Sequence, residues 1–334
     1  MQDDRVTMTG GEAAIAMLRK FNVEMMFGLP GDQTHLYDAL HNQADIRHVL
    51  VRHEQAAAHM ADAYARTTGK VGVCDASIGP GATNLISGIA EAFASGIPVV
   101  ALVSDVRSDW RGRDSFQEID QVNVFKPITK KVFSVDHTER IPEFVARAFQ
   151  IATTGRPGPV LLSFPIDVLR NQHDFTPLDL AVDHRYGRFP ANRMTPPAED
   201  IEAAIDSLVA AERPLILAGG GTIASNAMQE VQALAELLDM PVATTYMGKG
   251  TVAENHPLAL GPFGLLGRAV TNDYVLDADF VLALGTRFTN VDTVAWRVPA
   301  KRTKIVQIDV EPTQIGRNYV VDQALPGDIK SVLQ

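Results

Sequence analysis

The sequence holds a single cysteine, Cys74, in 334 residues. That excludes an internal disulfide framework and any zinc site built from several cysteines. No apolar run approaches the roughly 18 residues that a spanning helix needs. There are no short repeats and no low-complexity tract. The opening residues, Met1-Gln2-Asp3-Asp4-Arg5, are polar, with no apolar signal region behind them, so a cytoplasmic protein is expected. Cations are in deficit: 30 Lys+Arg stand against 40 Asp+Glu, a net charge of −10. A surface of that sign repels phosphate backbones and anionic lipid, so neither nucleic acid nor a membrane is expected as partner.

What remains is ordinary globular material. Hydrophobic residues make up 46% and charged residues 21%. At roughly 150 residues per domain the length predicts about two domains. Apolar runs alternate with amphipathic segments. Thr9-Gly10-Gly11-Glu12 has capping-box spacing, and Ala13, Ala14, Met17 and Leu18 then repeat with helical period. Strands are expected at 24–29, 47–52, 71–76, 98–104 and 159–164, with helices at 33–42, 54–67, 82–94 and 139–152. Between 171 and 195 the pattern lapses among Pro177, Pro190 and mixed charges, which reads as a surface linker. Alternation resumes with strands near 215–218, 241–245, 280–284 and 304–309 and helices near 198–210, 225–238 and 267–277. The fold class is therefore α/β, two doubly wound parallel-sheet domains over 1–170 and 196–334.

Ligands of open parallel sheets bind beyond the carboxyl ends of strands. Three such ends carry unusual residues: Gly28-Leu29-Pro30-Gly31-Asp32, His53-Glu54-Gln55, and Gly79-Pro80-Gly81-Ala82-Thr83-Asn84. Glu54 stands where an apolar strand meets an alanine-rich helix. It serves either to complement the helix dipole or to address a ring nitrogen of a bound heterocycle. Two motifs fail. His53 and His59 lie six positions apart, about 240° around a helix, and cannot share a metal. Ser77 has no GxSxG surroundings. Cys74, within an apolar run, reads as inert core. In the second domain Gly219-Gly220-Gly221 ends a strand before a helix, a weak dinucleotide fingerprint. The next strand, Pro241-Val242-Ala243-Thr244, ends without the acidic residue that would hold a ribose, so a dehydrogenase is poorly supported.

Several segments together resemble the thiamine-diphosphate-dependent enzymes of the acetolactate-synthase type. They are FGLPGD at 27–32, RHEQAAAHMADAYARTTGKVGVC at 52–74, SIGPGATNLISGIAEAF at 77–93, IPVVALVSD at 97–105, FQEIDQ at 116–121 and GRPGPVLLSFPIDV at 155–168. MGKG at 247–250, ENHPLALG at 254–261, LALGTRF at 282–288 and QIDVEP at 307–312 continue the likeness.

The resemblance implies a pyrimidine-binding domain followed by a Rossmann-like central domain, in a lyase or carboligase acting on 2-oxoacids. It implies that Glu54 activates the cofactor and that Gly28, Leu29, Pro30, Pro80 and Asn84 contact it. Gln117 would stand near the reacting carbon, with Phe116 lining the pocket. In the central domain it allows FAD, ADP or no ligand. Arg156, Gly219, Gly220, Gly221, Gly285, Arg287, Asp309 and Asp328 fall at matching nucleotide-contact positions. The family binds the diphosphate through Mg2+ in a third domain with a GDG motif. No GDG occurs here. The expectation is that another chain or domain supplies the metal site, and that the pyrimidine-binding domain forms a homodimer or tetramer. Val291 stands where biosynthetic members have a second arginine, and Leu265-Leu266-Gly267-Arg268 replaces their MHG segment. A 2-hydroxyacyl-CoA lyase, another 2-oxoacid decarboxylase, or a non-catalytic nucleotide-binding subunit of the same fold are the alternatives.

Overall fold

In the computed structural model the apolar runs pair in parallel into two separate six-stranded sheets. The described residues are 5–41 and 43–334; the acidic start at 1–4 and Asn42, the last position of the helix expected over 33–42, lie outside them. The chain divides into two units, one ending at Asn192 and the other running Arg193–Gln334.

The first unit holds β1 (Val6–Thr9), β2 (Met25–Gly28), β3 (Arg47–Leu50), β4 (Gly72–Ala76), β5 (Val99–Asp105), β6 (Lys131–Ser134), β7 (Val160–Pro165) and β8 (Gln172–Phe175). Its sheet runs β3-β2-β4-β5-β7-β6. Successive side chains leave a strand on opposite faces, so each central strand feeds two cores. Val100 and Leu102 pack with the helices Gly10–Lys20 and Ile141–Thr153. Val99, Ala101 and Val103 pack with the helices Glu54–Thr68 and Ile86–Ser95. The capping box at Thr9 forms as its spacing predicts: the Glu12 amide donates to Thr9 Oγ1 at 3.2 Å, and the Thr9 amide to Glu12 Oε2 at 2.7 Å.

Residues 171–192, read from sequence as part of a linker, are folded onto this unit. β8 pairs antiparallel with β1, and Phe175 is fully buried in the first core. Further on, the Val71 amide donates to the Gly187 carbonyl, and the Phe189 amide to that of Gly69. The segment has no period because it is tied down by scattered backbone bonds and one aromatic anchor.

The second unit holds β9 (Pro214–Ala218), β10 (Val242–Thr244), β11 (Ala259–Pro262), β12 (Phe280–Leu284), β13 (Lys304–Asp309) and β14 (Gln323–Pro326), in the order β11-β10-β9-β12-β13-β14. Ile216, Leu282 and Ile308 enter one core; Leu215, Val281 and Ile305 enter the other.

Candidate functional site

β3, β2 and β4 are neighbours in one parallel sheet, so their carboxyl ends open on the same edge. The loops that leave them touch. The Asp32 amide donates to Ser77 Oγ at 3.2 Å, and Ser77 Oγ donates back to Asp32 Oδ2 at 3.1 Å. A Cβ on Gly31 would stand 2.5 Å from that serine. The Gly28–Asp32 loop therefore adjoins the segment that leads into Gly79–Asn84, and the side chain of Asn84 reaches Glu54.

Glu54 is the first residue of the helix Glu54–Thr68, behind His53, whose ring nitrogen accepts from the Gln55 amide and caps the helix. That helix buries Ala57, Ala58, Ala61 and Ala65. Their small side chains let it lie close to its neighbours. A Cβ on Gly72 would stand 2.1 Å from the Ala61 carbonyl oxygen, and one on Gly88 2.5 Å from Ala58 Cβ. Glu54 itself is only 7% exposed. Its Oε2 accepts from Asn84 Nδ2 at 2.9 Å. Its Oε1 has no hydrogen-bond partner among the described residues and lies 3.4 Å from where a Cβ on Gly81 would be. A buried acid with one oxygen fixed and the other open toward a glycine can receive a hydrogen-bonding ring edge.

Pro80 opens the short helix Pro80–Asn84, and Gly79 precedes it with φ of +59°. A side chain there would strike the Gln117 carbonyl oxygen, 2.2 Å from the Cβ position. The loop bearing Phe116 and Gln117 thus sits on the glycine turn beside Glu54. Glu118 closes that loop: its carboxylate accepts from the amides of Gly112 (2.6 Å) and Ser115 (3.1 Å). Those amides hold the Glu118 carboxyl below its usual range. Phe116 is 85% exposed. A cleft of about 680 Å³ opens at the ends of β5 and β6. Its lining includes Asp105, Arg111, Glu118 and Gln121, but not Glu54, Pro80 or Asn84.

Gly28, Leu29 and Pro30 form the turn after β2. Gly28 faces Asp75 in register across β4. A Cβ on Gly28 would stand 1.8 Å from Asp75 Oδ1. Asp75 is fully buried, and sequence reasoning passed over it. Its Oδ2 accepts from the Tyr37 hydroxyl and from Gln33 Nε2 (3.1 Å), and its Oδ1 lies 3.3 Å from His48 Nε2. Burial, then the Asp75 charge, pushes the Tyr37 hydroxyl far above its usual range, so it stays a donor. The available signal was the charge itself: a lone carboxylate inside Val71-Gly72-Val73-Cys74 and Ala76 must have partners. Cys74 is buried, as its apolar run predicts.

The nucleotide-contact positions divide between the units. Arg156 lies in the first, where its guanidinium donates to the carbonyls of Phe93 (3.1 Å) and Ala94 (2.7 Å) at a helix end. The others lie in the second. There the glycines pack on one another. The Gly219 amide donates to the Leu284 carbonyl and that of Gly221 to Gly285, while a Cβ on Gly221 would stand 2.7 Å from Gly285 Cα. Gly220 lies against Met247. Asp328 is buried, paired with Arg193 and accepting from Ser225 Oγ at 2.8 Å. Asp309 accepts from the Glu311 amide at 2.9 Å. The Arg287 carbonyl accepts from Asn318 Nδ2 at 2.8 Å. No group of three or more His, Cys, Asp or Glu among the described residues could hold a metal ion. None of the described helices is long and apolar enough to cross a membrane.

Comparison with known proteins agrees with this architecture. Residues 8–124 match the family described as thiamine pyrophosphate enzyme, N-terminal TPP binding domain. Residues 201–334 match thiamine pyrophosphate enzyme, central domain. The chain belongs to the thiamine-pyrophosphate-dependent enzymes and carries those two domains. Within that family it is similar to proteins named acetolactate synthase. It is 44% identical over 328 residues to a probable acetolactate synthase large subunit of Methanococcus aeolicus, covering 98% of this chain and 54% of that protein. Identity is 41% over 343 residues with an acetolactate synthase of Arthrospira platensis, covering 100% of this chain and 59% of that protein. With the large subunit of Corynebacterium glutamicum it is 40% over 330 residues, covering 98% and 52%. The chain thus spans a little over half the length of these relatives.

Proposed function

We propose that this chain grips the aminopyrimidine ring of thiamine diphosphate in an enzyme that breaks or joins carbon–carbon bonds beside the carbonyl of 2-oxoacids. The supporting observation is Glu54: buried, held through Oε2 by Asn84, with Oε1 open beside Gly81. These residues fit the ring, because an acid with one unpartnered oxygen needs a donor and a glycine leaves the approach clear. Bound thiamine diphosphate supplies a cationic thiazolium that accepts the electron pair released at the carbonyl carbon. The protein's part is proton control. Oε1 of Glu54 gives and takes a proton at a ring nitrogen, and Asn84 keeps the carboxyl from rotating away. The low dielectric of the buried position strengthens that hydrogen bond. Leu29, Pro30 and Pro80 bound the ring, Gly28 permits their turn, and Gln117 with Phe116 faces the substrate.

The diphosphate and its Mg2+ are proposed to be held by residues outside these 334, in a partner or domain bearing a GDG segment. A homodimer or tetramer through the first unit, and a cytoplasmic location, complete the proposal. FAD or ADP in the second unit is a further proposal, supported by the glycine-lined ends of β9 and β12. Arg287, Asp309 and Asp328 would be its flanking groups within that unit.

The test uses the full-length protein with its native partners. Calorimetry with thiamine diphosphate and Mg2+, and an assay of pyruvate consumption, are run on wild type and Glu54→Gln. Loss of turnover by ~10²–10⁴-fold in the variant is expected, the range for a positioned acid–base group. Unchanged turnover, or turnover only with 2-hydroxyacyl-CoA substrates, would replace this reading. Flavin absorbance of the purified protein tests the second unit.

A further inference from the structure

The carboxylate of Asp75 has a position no part of the proposed reaction uses. It is fully buried at the end of β4, inside the space that a side chain on Gly28 would fill. The Tyr37 hydroxyl donates to it, Gln33 Nε2 donates to it, and His48 Nε2 faces it. Tyr37 spends its one proton on Asp75, yet its oxygen also lies 3.1 Å from His48 Nε2. Both atoms facing that nitrogen are acceptors, so Nε2 carries a proton. The buried charge is thus enclosed by donors from the helix Thr34–His41, from β3 and from Gln33.

Gln33 carries the connection outward. Its Nε2 bridges Asp75 Oδ2 at 3.1 Å and the Leu29 carbonyl at 3.2 Å. Both partners are acceptors, so the amide has only this orientation: turned over, its oxygen would meet a carboxylate. The consequence is a side chain 1% exposed whose Oε1 has no partner. A buried acceptor left unpaired forfeits the hydrogen bond that water gives it in the unfolded chain. Such a group persists where its other end has a task.

We propose that Asp75 and Gln33 are positioning residues: the carboxylate anchors Gln33, and Gln33 fixes the Leu29 carbonyl, so that the turn Gly28–Asp32 is preset for the cofactor ring. The inference rests on the reading of that turn as a cofactor contact. It requires no contact between Asp75 and the cofactor.

The experiment compares Gln33→Met with wild type in the full-length protein. Methionine keeps the volume and cuts both hydrogen bonds. Without cofactor, amide exchange of Leu29, Gly31 and Asp32 should quicken at least tenfold, while amides of β4 and β5 keep their rates. The affinity for thiamine diphosphate with Mg2+ should fall about tenfold, with kcat at saturating cofactor nearly unchanged. Gln33→Glu, which sets a second carboxylate against Asp75, should be worse on both readouts. Unchanged exchange in the turn overturns the tether. Faster exchange with wild-type cofactor affinity overturns the positioning role, provided Glu54→Gln still loses turnover. If Glu54→Gln keeps its turnover and Gln33→Met its cofactor affinity, the cofactor reading falls and the positioning role falls with it. The exchange rates separate that failure from the first.

Discussion

Asn84 donates its side-chain amide to Glu54 Oε2 at 2.9 Å, joining the helix after β4 to the helix after β3. Resemblance alone made Asn84 a cofactor contact; the structure makes it the residue that orients the acid. Asn84→Ala should therefore lower kcat by about 10–100-fold, the equivalent of one hydrogen bond to a charged group at ~1.5–3 kcal/mol. The loss should be smaller than for Glu54→Gln, and the double variant should be no worse than Glu54→Gln. Steady-state kinetics on the three proteins checks this; additive losses would show that Asn84 acts elsewhere.

Gly79→Ala should destabilise the first unit. The backbone there has φ of +59° and ψ of −110°, outside the range of other residues. The conformational cost is about 1–3 kcal/mol, and the added methyl meets the Gln117 carbonyl besides. Urea unfolding should show a lower midpoint with the same slope. Limited proteolysis should cut between 111 and 120 sooner than in wild type.

Cys74 should resist alkylation in the native protein at pH 8 and react fully once unfolded. Burial first, and then the Asp75 charge, pushes its thiol up. The folded state keeps a proton that the unfolded chain releases. The associated stability is full below the unfolded thiol's value, about 8.5, and declines as pH rises above it, at up to ~1.4 kcal/mol per pH unit. Tyr37 is shifted in the same direction, and its loss begins above about 10. Stability measured from pH 8 to 10 should fall less steeply in Cys74→Ala than in wild type.

Arg193→Met should destabilise the second unit by about 1.5–3 kcal/mol, because it leaves the Asp328 carboxylate buried with a lost charged partner. Thermal melting checks the loss. Arg193→Lys should recover part of it.

The sequence made the central strands legible and most of the edges obscure; the edge strand β3 was legible through the apolar run Val49-Leu50-Val51. β5 and β12 are buried along their whole length and read as plain apolar runs. β6, β11 and β14 stand at sheet edges, where only one side chain or so in four is buried, and KVFS, ALGP and QALP carry no recognisable period. β1 and β8 were missed for a related reason: they pair only with each other. At the site, Glu54 and the two glycine turns were legible because glycine, proline and a lone acid stand out at strand ends. Asp75 was not, since its partners lie 27, 38 and 42 positions away, in segments whose adjacency no local pattern reveals. The glycine run Gly219–Gly221 was legible as glycine, but not as a set of backbone contacts to Leu284 and Gly285.

Gly72 and Gly88 press on the helix Glu54–Thr68 at Ala61 and Ala58, leaving it no slack. The depth to which its acidic head projects is gauged by atoms that are missing, well down the helix from the head itself. A methyl group added at either glycine would lift the rod and swing its tip, spoiling the aim of an untouched carboxyl group.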